Sequence, residues 1–160
     1  MRRDLNYSTL NAPLFWKNVG ESTVDGVQPG QISLHPGPGA NADAVVLRFV
    51  APVTSVYSVE SQFFSGDSGQ TEAWVILNGN FELPLASLGV TSINPGFTTT
   101  SLELNAGDTI DFVVGNYGDF YFDNTPIEVS ITTVPEPHAM WLLLAGIPLI
   151  VRRMARWPDA

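Results

Sequence analysis

The chain has 160 residues, a formal net charge of −9 and no cysteine. That length admits one domain with a core of ordinary size. The lack of cysteine removes disulfides, thiolate metal sites and cysteine nucleophiles together. Between residues 4 and 137 there are 15 acidic side chains against only Lys17 and Arg48. Such a surface repels nucleic-acid phosphates and anionic headgroups, so nucleic acid is excluded as a partner.

Met1-Arg2-Arg3 opens like the basic start of a signal peptide, but Asp4-Leu5-Asn6-Tyr7-Ser8-Thr9 follows where an apolar stretch is required. The expectation is an exported chain whose start is truncated and lacks its signal peptide. Residues 11–133 then read as short strands separated by turns. Residues 31–34 end at His35-Pro36-Gly37-Pro38-Gly39, which must be a loop. Two strands follow over 44–50 and 55–64, parted by Ala51-Pro52. In the second, Tyr57, Val59 and Phe63 share a face opposite Glu60 and Gln62. Strands over 100–104, 110–114 and 127–132 alternate in the same way, except that Val113 breaks the pattern after Asp111. Alternation with one apolar face belongs to antiparallel sheets packed on one side. The predicted fold is therefore all-β, an antiparallel two-sheet sandwich of jelly-roll type over residues 1–133.

The sharpest hairpin signal is Asn78-Gly79 between residues 71–77 and 80–85. A plain two-residue turn would put Trp74 beside Phe81. A three-residue loop with Gly79 in the left-handed region instead gathers Ala73, Val75, Leu77, Phe81, Leu83 and Leu85 on one face. Register follows the buried face, so the bulged version is predicted. It leaves Trp74 outward or peripheral, and Pro84 marks the return strand as an edge.

Candidate chemistry gathers in Gly115-Asn116-Tyr117-Gly118-Asp119-Phe120-Tyr121-Phe122-Asp123-Asn124. Aromatic faces stack on sugars while acids accept hydroxyl hydrogen bonds, which makes Tyr117, Tyr121 and the outward Trp74 candidate sugar-binding residues. Asp119, Asp123 and Asn124 are candidate calcium ligands, oxygen donors for a hard ion. Turn-forming Asp and Asn are the plainer reading, because no EF-hand spacing is present. Asp108, after Asn105-Ala106-Gly107, reads as a turn residue. His35 reads as a loop residue bonded to backbone, with no nucleophile-elbow serine near it. The many acids offer no way to choose a catalytic pair, so the domain is read as non-enzymatic.

The texture changes after Thr133. Val134-Pro135-Glu136-Pro137 cannot pair inside a sheet, because neither proline donates a backbone N–H. Residues 139–151 carry no charge, and Arg152, Arg153 and Arg156 follow. At roughly 1.5 Å rise per residue this stretch spans about 20 Å, short of a bilayer core of about 30 Å. His138 and Trp141 can extend it into the outer interface. Arginines stay on the cytoplasmic side, so a single C-terminal transmembrane helix would leave the sandwich outside.

This order of parts over 134–160, Pro-Glu-Pro, apolar helix and arginine cluster, resembles the PEP-CTERM sorting signal of Gram-negative bacteria. The resemblance assigns the sorting motif to Pro135, Glu136 and Pro137, and the transmembrane stop to Arg152, Arg153 and Arg156. It implies exosortase as a partner, a transient stay in the inner membrane and cleavage near the motif. Two departures stand out: His138 replaces a small hydroxyl residue, and Trp157-Pro158-Asp159-Ala160 extends past the arginines. Upstream stretches such as Val75-Ile76-Leu77-Asn78-Gly79 and Leu102-Glu103-Leu104-Asn105-Ala106-Gly107-Asp108 resemble a β-sandwich domain found joined to such tails, similar in outline to carbohydrate-binding modules. The expectation is an exported cell-surface or biofilm-matrix protein that is not catalytic and binds exopolysaccharide. The alternatives are a structural matrix protein without a small ligand and a small glycan-active enzyme.

Overall fold

The computed structural model describes residues 13–39 and 43–135. The expected truncated signal-peptide start, Glu136, Pro137, the expected apolar helix and its three arginines lie outside the described residues. Among the described residues there are nine strands: β1 (Leu14–Lys17), β2 (Ile32–His35), β3 (Val45–Val50), β4 (Ser55–Phe63), β5 (Thr71–Leu77), β6 (Ala86–Val90), β7 (Gly96–Leu104), β8 (Thr109–Asn116) and β9 (Thr125–Thr133). All pairings are antiparallel. Among the described residues there is no α-helix, only short 3-10 structure such as the turn Thr91–Ile93.

The strands form two sheets, β1-β2-β9-β4-β7 and β3-β8-β5-β6. From β2 onward this is the jelly-roll order, in which the chain changes sheets at every connection except β5 to β6, and β9 returns between β2 and β4. Tyr57, Val59 and Phe63 of one sheet meet Ala73, Val75, Ile110, Phe112 and Val114 of the other in a single core. Fully burying a side chain such as Phe63 or Phe112 contributes about 1.5–3 kcal/mol. The predicted faces of β4, β8 and β9 are as the alternation requires.

Two strands went unpredicted, and the hairpin is the main correction. Asn78 and Gly79 both take positive φ, 51° and 68°, and Asn80 N–H donates to the Leu77 carbonyl at 3.0 Å. That is a two-residue turn, not the predicted bulged loop. The chain does not then return along β5. Asn80 Oδ1 accepts from the backbone N–H groups of Glu82 and Leu83, which curls the segment outward. Phe81 and Leu83 are 62% and 76% exposed instead of lying in the core. The return strand that pairs with the free side of β5 is β6, with Trp74 opposite Ser87 and Val75 opposite Ala86, so it starts beyond Pro84. Trp74 does lie on the face opposite Val75, half-buried. Its ring edge packs over Gly115, where an added Cβ would meet it at 3.1 Å.

The outer face of the smaller sheet is itself partly apolar. Ile76 and Val113 are buried there, which explains why Val113 broke the alternation. Beside them Asp111, 2% exposed, receives Arg48 Nε and Nη2 at 2.6 and 2.8 Å. This bidentate pair raises the Arg48 guanidinium further above its usual value, first through the hydrogen bond and then through charge.

Candidate functional site

The jelly roll sends alternate loops to opposite ends. One pole carries residues 36–39, 43–44, 64–70, 91–95 and 117–124. The other carries 51–54, 78–85 and 105–108, and there β9 also ends, with Thr133 paired to Tyr57 and Val134 N–H donating to the Val56 carbonyl. The first pole holds the aromatic and acidic loop singled out in the sequence.

That loop is stitched to its neighbour by close backbone approach. Gly66 N–H donates to the Asn124 carbonyl at 3.1 Å and Gly69 N–H to the Phe122 carbonyl at 2.8 Å. A Cβ at Gly66 would meet the Asn124 oxygen at 2.2 Å, and one at Gly69 would meet Asp123 Oδ1 at the same distance. Only glycine lets the two loops lie this close. Beneath them, Thr71 Oγ1 lies 2.6 Å from both Thr91 Oγ1 and Thr125 Oγ1, and Thr125 Oγ1 reaches the Asp123 carbonyl at 3.4 Å. These buried hydroxyls tie the starts of β5 and β9 and the 3-10 turn into one rigid base.

Asn124 is a structural residue. Its Oδ1 accepts from Trp16 Nε1 at 3.0 Å and Ser33 Oγ at 3.3 Å, and its Nδ2 donates to Asp67 Oδ2 at 2.9 Å. Asp67 Oδ1 accepts the Asn124 backbone N–H at 3.0 Å. Burial raises the Asp67 carboxyl above the usual range, and the Asn124 bonds and the nearby His35 partly offset this. His35 itself closes β2, buried, with Nδ1 donating to the Pro36 carbonyl at 2.8 Å, the backbone-bonded role expected of it.

Asp123 is the anomaly. It is 1% exposed, yet neither carboxylate oxygen has a hydrogen-bond partner. Burial, then the charges of Asp119 and Asp67, push its carboxyl up to about 7, against a weaker opposing influence from the Gln70 backbone. Asp119 is exposed and accepts the Tyr121 backbone N–H at 3.1 Å. Around these acids Tyr117, Tyr121 and Phe122 are more than half exposed, and the Phe120 and Tyr121 rings lean together at 4.5 Å between centroids. Phe122 holds a left-handed backbone, φ 61°, a strained choice for an aromatic residue that turns its ring outward.

The sequence thus found Tyr117, Tyr121, Asp119 and Asp123 together at one pole. Trp74 stands apart on the outer face of β5. On β8 only Gly115, under its ring, and Asn116 separate it from Tyr117. Asp67 and Phe122 were missed, and Asp67 stands where Asn124 was expected to serve. Calcium takes six to eight oxygens. Asn124 Oδ1 and both Asp67 oxygens are already engaged, and among the described residues no three acids or histidines are grouped to hold a metal ion. The donors present do not fit calcium.

No protein-family model and no curated protein matches the chain. Among solved structures it is similar to the Podospora anserina GH26-CBM35 β-(1,4)-mannanase, at 16% identity and TM-score 0.44, covering 79% of this chain and 29% of that one. It is also similar to a family 35 carbohydrate-binding module from an environmental isolate, at 18% identity and TM-score 0.42, covering 79% and 90%. A family 35 module from Clostridium thermocellum gives 14% identity and TM-score 0.39, covering 76% and 92%. This chain therefore spans under a third of the mannanase. Likeness at this level carries no argument about function, which rests on the residues above.

Proposed function

We propose that this chain is an exported surface or matrix protein of a Gram-negative bacterium, sorted by its Pro135-Glu136-Pro137 tail, whose sandwich binds polysaccharide without catalysis. One observation carries the binding half: Tyr117, Tyr121 and Phe122 stand exposed around acids on a rigid pole. Exposed rings grouped with polar acceptors are what a sugar with apolar faces and hydroxyl edges requires. The placement of the poles supports the sorting half. β9 is nine residues long, so the chain leaves the sandwich roughly 27 Å from the aromatic loop. A protein held at a membrane through its C-terminus would present that loop outward. Val134 and Pro135 are exposed there, open to an enzyme in the same membrane.

Each half has its own test. A glycan array probed with the intact chain should light up, and Tyr121→Ala should dim it; a silent array favours a structural matrix protein. Behind a supplied signal peptide in a host containing exosortase, the mature protein should lose its C-terminal segment and Glu136→Ala should block that loss. Mass spectrometry of the C-terminus reads the result, and an intact Ala160 on the released parent removes the sorting role.

A further inference from the structure

Resting on the sugar-binding reading, we infer that the ligand at this pole is a sugar carrying a free ammonium group, a stretch of de-N-acetylated amino-sugar polymer. Three observations converge. Loops 64–70, 91–95 and 117–124 hold Asp67, Asp119 and Asp123 and no lysine or arginine. Arg48, the arginine among the described residues, lies in β3 and is committed to Asp111. Asp123 is buried with no side-chain hydrogen bond to either carboxylate oxygen, and a buried group of that kind calls for an explanation.

Asp119 and Asp67 lie close enough to Asp123 for their charges to raise its carboxyl, without the donor count that calcium needs, whereas an ammonium group brings three N–H donors and a single positive charge. A uronate would be repelled by these loops, which carry three acids and no lysine or arginine to receive its carboxylate. A neutral sugar would use the rings but leave the acids uncompensated. An amino sugar uses both: its apolar face stacks on Tyr121 or Tyr117, and its ammonium group meets exposed Asp119. Asp67 and Asp123 deepen the negative potential behind Asp119.

Isothermal titration of the intact chain with a glucosamine hexamer and an N-acetylglucosamine hexamer tests this. The glucosamine hexamer should bind at least about tenfold more tightly, and Asp119→Asn should remove most of that advantage. Tyr121→Ala should weaken both ligands. Glu82→Gln, in the loop at the far pole, should leave both affinities unchanged. Equal affinity for the two hexamers, or an Asp119→Asn variant that keeps the preference, overturns the ammonium inference while sugar binding stands. An equal loss in Glu82→Gln would reduce the preference to general surface charge and overturn it too. If calcium alone raises the melting temperature and Asp119→Asn abolishes that rise, the acids belong to a metal and the inference fails. Binding of neither hexamer, together with a silent glycan array, removes the sugar reading itself.

Discussion

Asp108 and Asp123 sit in loops at opposite poles of the same sandwich, and they have been put to opposite uses. Asp108 Oδ2 accepts the Asn105 backbone N–H at 2.7 Å and Asn105 Nδ2 at 3.3 Å, while Oδ1 accepts Asn78 Nδ2 at 3.1 Å. The Asn105 backbone bond leads in holding its carboxyl below the usual range, and the two side-chain bonds add to it. Asp123 lacks such a set of donors, with only the Gln70 backbone opposing, and burial with two neighbouring acids drives it the other way. From sequence the two look alike, acids in turn-rich runs. An acid that organises a turn collects donors. One that is buried without them opposes folding.

The largest expected effect comes from removing that opposition. Asp123 has a folded-state pKa raised above its unfolded value, so the native state is least burdened below the unfolded value near 4, where both states are protonated. Its contribution to stability is lost as pH rises through about 7. Asp123→Asn should therefore raise the melting temperature at pH 8 and change it little at pH 4. A gap of about three pKa units corresponds to at most roughly 4 kcal/mol, and an unpartnered Asn amide will reduce it. Thermal melts at the two pH values check this; an equal effect at both would mean that charge is not the issue.

Next in size is the hydroxyl base of the same pole. Thr71→Val breaks the bridge between Thr91 and Thr125 and should cost about 1–3 kcal/mol in chemical denaturation. At the far pole Asp108→Ala should lower the melting temperature near neutral pH, and the loss should fade in acid, the reverse of the Asp123 profile. The smallest effect is expected for Gly115→Ala, whose Cβ would crowd the Trp74 ring. A shift in tryptophan fluorescence with little change in stability is the expected result.

Legibility in the sequence followed the same division. Strands β4, β8 and β9 were readable because long runs alternate and one face is buried. β1 was missed because Leu14-Phe15-Trp16-Lys17 is a four-residue edge with Phe15 exposed. β6 was missed because Gly89 takes φ 69° beside a register shift, which interrupts a short run of small residues. Asp111 looked like an ordinary outward acid, since nothing local shows that the outer face of its sheet is buried. Tyr117, Tyr121, Asp119 and Asp123 could be grouped from sequence because they lie in one contiguous loop. Asp67 lies 57 residues from Asn124, and only loop packing joins them. The run Ser65-Gly66-Asp67-Ser68-Gly69 signals a turn but not its partner.

The central claim is that the aromatic pole, and not the rest of the surface, binds polysaccharide. It is tested most directly by measuring glycan affinity of the intact chain beside Tyr117→Ala, Tyr121→Ala and Asp108→Ala. The account predicts binding that falls at least about tenfold in each tyrosine variant, as loss of a stacked ring requires, and survives in Asp108→Ala. Binding that is indifferent to both tyrosines, or that vanishes only with the far pole, would contradict it.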